Sequence, residues 1–310
     1  MHLEIYDGDT FFSINWPQDE LVIICMSYTH YYHFLGTIPS LYHRRKTAWR
    51  CPCIGYRTLD NKRDLANALH ACNLTQEALM LPSKIVSSVT DITKYPVILK
   101  PFNDGCGRGI MLADGPGCLD EKFRPKICTQ LVRDCLLYNG THKADLRMFA
   151  IIHPHTKRAL LYRDALVRCS QTVYTEGSFE AEITNTSVHQ HDENTTAPPL
   201  LSHLHEYVQD KNHRSRIYSD VVNAVSVVGK AVFTGLKKVR ERDFVFVGLD
   251  VLVRSDPTMP PIVLEYNVSW DRSKEDTVSS IIKRNAVQEL VQSMLCPDRV
   301  HNDVCTTTWK

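Results

Sequence analysis

The sequence is poor in whatever would send it to a membrane, a metal cluster or a nucleic acid. No run approaches the roughly 20 apolar residues that cross a bilayer. The opening MHLEIYDGDTFF has neither the basic start nor the apolar stretch of a secretory leader, so a cytoplasmic protein is expected. Net charge is nearly absent, with 36 Lys plus Arg against 35 Asp plus Glu. A chain without a global field is expected to have neither nucleic acid nor membrane as a partner, and any anionic partner has to be met by a local patch. Paired cysteines are scarce too. The 11 cysteines are odd in number and scattered, several in apolar runs such as Leu21 to Met26 and Ile127 to Leu131, which reads as reduced core thiols. Cys51 and Cys53 stand close together, but Cys-x-Cys without a second pair or a His couple is poor zinc spacing.

What is present is a hydrophobic content of 43% over 310 residues, enough for one large or two to three small packed units. Residues 1 to 60 read as a small α/β unit. Its basic stretch, Arg44, Arg45, Lys46 and Arg50 among Tyr42, His43 and Trp49, is either a solvated face or a dock for an acidic tail. Leu65, Ala68, Leu69 and Cys72 recur at helical spacing within Asp60 to Leu74, with Asp60 or Asn61 as the cap. Strands are expected at 97–99, 126–132, 146–152 and 158–169, the last two forming a hairpin across His-Pro-His-Thr. Residues 189 to 215, rich in His, Asn, Thr and Pro, read as a mobile insertion. A long amphipathic helix is expected from Ile217 to Val239, with its basic residues at the C-terminal end. Strands at 244–253 and 261–267, a helix at 276–295 and a short polar tail complete the chain.

Two constellations carry chemistry. Val97-Ile-Leu-Lys100 ends an apolar strand in a lysine and leads into glycines 105, 107 and 109, a loop whose backbone N–H groups can approach phosphate. The lysine precedes the glycines, so this is not a Walker loop, and the spacing is not the dinucleotide fingerprint. An ordinary glycine-rich turn is the alternative. Second, Glu265 and Asn267 lie two residues apart on one strand and leave the same face, where Asp250 can join them from the neighbouring strand. Such an all-oxygen set suits Mg²⁺ beside nucleotide phosphates, and Gly248 on the same face leaves space for a ligand. The alternative is a solvated hairpin face, against which the apolar surroundings argue.

Lys100-Pro with its glycine loop, Asp145-Leu-Arg147, Thr184-Asn185, Gly248-x-Asp250 and Glu265-x-Asn267 occur in the order seen in tubulin tyrosine ligase and its relatives. Leu59-Asp-Asn-Lys62 and Leu81-Pro-Ser resemble the upstream helix and Leu-Pro step of that family. The resemblance implies an α+β (α/β) ATP-grasp fold with ATP between two subdomains, here 61–143 and 144–310, behind the small unit at 1–60. It implies ATP and Mg²⁺ as cofactors, with Lys100, Lys62, Gly105, Gly107, Gly109, Gln130 and Asn185 around the nucleotide. Asp250, Glu265 and Asn267 would hold magnesium. Arg147, Arg163 and Arg168, assisted by Lys143, would hold an acyl-phosphate or the carboxylate of an incoming amino acid. The implied activity joins an amino acid to a protein carboxylate, often on a tubulin tail. Val268-Ser-Trp-Asp271 departs from the family's usual continuation, which leaves a different acceptor, or a non-catalytic module that engages cytoskeletal or acidic partners, as alternatives.

Overall fold

In the computed structural model the description covers the backbone of residues 2–6, 11–15, 21–25 and 46–50. It further covers residues 56–102, 109–118, 125–170, 172–184, 201–236, 239–241, 243–268, 277–298 and 302–310. Three sheets organise these residues. The first joins β1 (His2–Tyr6), β2 (Phe11–Asn15) and β3 (Leu21–Cys25) as antiparallel neighbours, with β4 (Lys46–Arg50) parallel to β3. Two residues of the basic stretch, Lys46 and Arg50, thus lie on β4; Arg44, Arg45, Cys51 and Cys53 lie outside the described residues.

Helix α1 (Tyr56–Asp60) leads into α2 (Lys62–Ala71). Of the two cap candidates Asn61 is the one used: its side-chain oxygen accepts from the N–H groups of Arg63 and Asp64, both at 3.1 Å. These are two of the four donors that the first turn leaves without helical partners. The helix ends where Asn73 takes a left-handed conformation, with φ of 55°. Although the sequence groups α2 with the central unit, Leu65 and Leu69 are buried in the core of the C-terminal unit.

The second sheet holds β5 (Ser83–Val86), β6 (Val97–Lys100), β7 (Met111–Ala113) and β8 (Lys126–Gln130) in the order β5-β8-β6-β7, antiparallel throughout. Its own small core is Val86, Ile92, Val97, Leu99, Ala113 and Cys128. The third and largest unit contains β9 (Leu137–Tyr138), β10 (His142–His153), β11 (Arg158–Cys169), α3 (Phe179–Glu182), β12 (Leu201–His203) and α4 (Leu204–Tyr207). It continues with α5 (Lys211–Phe233), β13 (Val245–Leu252), β14 (Ile262–Asn267), α6 (Thr277–Leu295) and β15 (Val304–Thr308). Its sheet runs β12-β11-β10-β13-β14, with β15 on β11 and β9 on β10.

The two-residue period of the strands splits this sheet between two cores. Leu146, Met148, Ala150 and Ile152 of β10 pack with Val221, Val225 and Val228 of α5, whereas Phe149 and Ile151 pack with Ile282, Ala286 and Leu290 of α6. At about 1.5–3 kcal/mol for each fully buried Leu, Ile, Met or Phe, this double layer dominates the stability of the unit. Its rigidity fixes the polar end of the α6-side face, where β10, β11, β13 and β14 carry the charged residues described below.

Three expectations need correction. Helix α5 begins at Lys211 and stops at Phe233, followed by Gly235 with φ of 86°, so Lys230 is the basic residue of its last turn and Arg240 falls beyond it. Residues 201–215 are built into the fold: Leu204, Tyr207 and Val208 are buried, and Asp210 caps α5 through the N–H groups of Asn212 and His213. The polar composition hid these few apolar anchors; residues 189–200 lie outside the described set. The polar tail is strand β15, held by its ladder to β11 and by Trp309, whose ring fills the space that Gly229 of α5 leaves open. None of the described helices is long and apolar enough to cross a membrane.

Candidate active site

A cleft opens between the second sheet and the β13–β14 hairpin, with about 910 Å³ of empty space including its mouth. Ile98, Ile127 and Leu131 contribute from one side and Leu252 and Leu264 from the other, while Lys62, Lys100, Gln130, Lys143, Thr184 and Glu265 supply the polar groups. An apolar slot with convergent cations accepts a flat ring bearing an anionic tail. Gln130 lines the cleft, but its side-chain amide donates to the carbonyl of Pro96 at 2.6 Å, beside the Leu131 N–H that binds the same oxygen at 3.0 Å.

At the charged end, Lys62 Nζ lies 3.3 Å from Glu265 Oε2 and Asn267 Nδ2 donates to Glu265 Oε1 at 3.1 Å. Strand register brings Asp250 opposite Glu265 and Gly248 opposite Asn267, past an irregularity between Asp250 and Val251. Asp250 is within hydrogen-bonding reach of Glu265. Burial pulls the Lys100 ammonium below its ordinary range, partly opposed by the charge of Glu265. An anion placed there would restore the charged form.

Beside this lies an alternating array of arginines and aspartates. The register sets Asp145 opposite Arg168 and Arg147 opposite Asp250. Arg168 grips Asp145 with Nε at 2.6 Å and Nη2 at 2.8 Å, and reaches Asp250 Oδ2 at 3.0 Å. Arg147 meets Asp250 Oδ1 through Nε at 2.5 Å and Oδ2 through Nη2 at 3.3 Å. The Thr184 hydroxyl donates to Asp145. Burial alone would raise the Asp250 carboxyl, but Arg147 and Arg168 outweigh it and hold it well below the usual carboxylate range. The same pairings overcome desolvation at Arg168 and push its guanidinium up. The two arginines differ in access: the Arg147 side chain is 20% exposed against 7% for Arg168, so Arg147 is the one that can meet a ligand.

A sequence profile described as the Tubulin-tyrosine ligase family matches residues 42–303. The chain belongs to the tubulin-tyrosine ligase family. Its fold is similar to the crystal structure of the C-terminal domain from K. lactis Pby1, described as an ATP-grasp enzyme interacting with the mRNA decapping enzyme Dcp2. The TM-score is 0.61 at 16% identity, over 90% of this chain and 86% of that one. The fold is therefore ATP-grasp. No curated protein sequence matches the chain.

Within this family member, Lys62, Lys100, Gln130, Lys143 and Glu265 line one cleft. Asn267 and Asp250 bond or face Glu265, and Arg147 and Arg168 are tied to Asp250. Lys143 is buried and bound, donating to the Val132 carbonyl at 2.9 Å and to Glu182 Oε2 at 2.5 Å. Gly109 takes φ of 68°, and its carbonyl accepts from Lys126 at 3.1 Å. Gly105, Gly107 and Asn185 lie outside the described residues. Arg163 does not join the site: its side chain contacts Cys305 Sγ at 3.1 Å and lines a separate groove. It shares strand parity with Leu161 and Ala165 of the α5 core, the opposite face from Arg168.

Gly248 also works differently from expectation. A Cβ there would lie 3.1 Å from Arg147 Cδ and 3.3 Å from Nη1, so the space it leaves is filled by Arg147 rather than kept for a ligand. Asp145 and Thr184 are visible in the sequence only as motif members, and Glu182 and Arg133 stand in no motif. Arg133 bonds Asp114 at 2.6 Å, Glu176 at 2.7 Å and Glu182 at 3.2 Å. For Asp145 a signal existed, two residues before Arg147 on the same strand face; for Glu182 none did.

Among the described residues no group of three or more His, Cys, Asp or Glu side chains forms a metal-binding cluster. The donor set nonetheless fits magnesium, which is held by one or two carboxylates together with substrate phosphates and waters. Glu265 and Asn267 offer oxygens on one face, and the close approach of the Glu265 and Asp250 carboxylates is one that a cation relieves. Asp250 is already committed to two guanidinium groups, which makes it the weaker of the expected ligands.

Proposed function

We propose that this protein is an ATP- and Mg²⁺-dependent carboxylate–amine ligase that joins an amino acid to a protein carboxylate, with tubulin the first acceptor to test and cytoplasmic tubulin as its setting. The reading is supported chiefly by one observation: Lys62, Lys100 and Glu265 end the apolar cleft at the place where Arg147 and Asp250 begin. In this reading the apolar walls hold the adenine, and Lys100 and Lys62 contact the phosphates. Glu265 and Asn267, with Asp250 behind them, would hold Mg²⁺, which supplies charge neutralisation at the phosphates. Arg147 presents its guanidinium to the acceptor carboxylate. An acceptor oxygen bonds to the γ-phosphorus as the bond to the ADP oxygen breaks, giving an acyl-phosphate. The amine nitrogen then bonds to the acyl carbon, inorganic phosphate leaves, and the nitrogen loses its proton. Buried Arg168 and Asp145 orient Arg147 and Asp250 rather than touching substrate.

A second reading keeps nucleotide binding without ligation, or ligation to a non-tubulin acceptor. The neutralisation of both arginines by Asp145 and Asp250 favours the non-catalytic form, because neither arginine then has charge to spare for a substrate carboxylate. Incorporation of labelled amino acids into tubulin and into other acidic acceptors, with ATP and Mg²⁺, separates these readings. Transfer by the intact chain and none by Glu265→Gln supports the ligase. Absence of transfer to every acceptor, with nucleotide binding intact, supports the module.

A further inference from the structure

Arg163, which the family resemblance places with the catalytic arginines, lines a different groove, and this groove has the make-up of an anion site. It lies at the β11–β15 edge of the large sheet, against the first turns of α5, with about 980 Å³ of empty space including its open mouth. It shares no lining residue with the nucleotide cleft. Arg158 and Arg163 contribute from β11, and Ser215, Tyr218, Ser219 and Asn223 from α5. Among the described residues neither guanidinium is within ion-pair distance of a carboxylate. Arg163 Nε meets a sulfur, a weak acceptor, and the charge of Asp298 reaches Arg158 only across space. Arg133, Arg147, Arg168 and Arg254, by contrast, each hold a carboxylate. The groove therefore holds two cations without an ion-pair partner among the described residues, surrounded by hydroxyl and amide donors.

We propose that this groove binds a phosphoryl group, carried by a phosphorylated side chain of a partner protein or by a small phosphorylated molecule. A single arginine fork satisfies the two oxygens of a planar carboxylate. Arg158 and Arg163 line the same groove as the hydroxyls of Ser215, Tyr218 and Ser219 and the amide of Asn223, a larger and less planar donor set that suits the several acceptor oxygens of a tetrahedral anion. Because the groove and the nucleotide cleft have no lining residue in common, occupancy need not compete with nucleotide.

The test titrates inorganic phosphate and a phosphoserine peptide into the nucleotide-free full chain by calorimetry, with Lys100→Ala, Arg163→Gln and Arg158→Gln compared at matched fold content. Saturable binding kept in Lys100→Ala and weakened about ten-fold or more in Arg163→Gln is expected, a loss of about 1.4 kcal/mol. Arg158→Gln repeats the measurement should Arg163→Gln fail to fold. Tighter binding of the peptide identifies a protein-borne source, and tighter binding of free phosphate a small-molecule one. No saturable binding, or binding lost in Lys100→Ala but kept in both arginine variants, overturns the proposal. Equal affinity for a glutamyl peptide without phosphate overturns it too.

Discussion

Replacing Arg168 by methionine removes the centre of the arginine–aspartate array while keeping an unbranched side chain of similar reach. Arg168 is 6% exposed, and its partners Asp145 and Asp250 are 2% and 4% exposed, so solvent cannot replace the lost charge. Asp145 is left with the Thr184 hydroxyl, while Asp250 keeps Arg147. Breaking a buried pair on one side costs about 3–5 kcal/mol, because the surviving charge stays desolvated. At roughly 2–4 °C per kcal/mol for a chain above 150 residues, the melting temperature should fall by about 6–20 °C. Asp145→Asn on top of Arg168→Met should recover a good part of this, since the orphaned charge disappears. The pH dependence has a definite sign. The folded-state pKa of Asp250 is depressed, so its contribution is present above the unfolded carboxylate value near about 3.9 and lost as pH falls below it. Arg168→Met weakens that depression, and the gap between the variant and the parent should hold from pH 7 to about 4 and narrow only as pH falls further. Urea unfolding from pH 7 down to about pH 3 measures both effects. A loss under about 1 kcal/mol at pH 7, the scale of an exposed ion pair, would refute the reasoning.

Other perturbations test neighbouring parts of the account. Gly248→Ala places a methyl 3.1 Å from Arg147 Cδ and should shift the guanidinium off Asp250. Stability should change by only about 1 kcal/mol, since strand glycine entropy offsets part of the lost bond, while ligation falls and nucleotide affinity holds; unaltered turnover removes Arg147 from the mechanism. Trp309→Ala empties a buried ring site against Gly229 and Ile152 and should cost about 3–5 kcal/mol in chemical denaturation. A cost near zero would mean that β15 is not part of the cooperative unit.

The sequence carried the fold where local chemistry repeats. Asn61 caps α2 through short-range geometry, and the alternating apolar residues of 142–153 and 158–169 announce a hairpin with two packed faces. It carried less where pairing is non-local. Asp145 meets Arg168 because the β10–β11 register shifts by two residues between Met148 and Ala150; carried unbroken from the hairpin end the ladder would set it opposite Leu166, and no spacing in the sequence encodes that shift. Glu182 sits on a single turn of helix and reaches Lys143 and Arg133 from far along the chain, a contact visible only once the units are assembled. The tail misled because Thr306, Thr307 and Thr308 read as polar coil, yet threonine suits an edge strand whose other face is solvated. The ordered order of motifs, Lys100 to Asn267, was legible because each motif keeps its own short spacing.

The central claim is that ATP enters the cleft between the second sheet and the β13–β14 hairpin with its phosphates at Lys100 and a magnesium ion at Glu265. Calorimetric titration of Mg-ATP into the intact chain, Lys100→Ala and Glu265→Gln addresses it most directly. The account predicts magnesium-dependent binding by the intact chain, at least about ten-fold weaker in Lys100→Ala and no longer magnesium-dependent in Glu265→Gln. Binding of equal strength and equal magnesium dependence in all three proteins would contradict it.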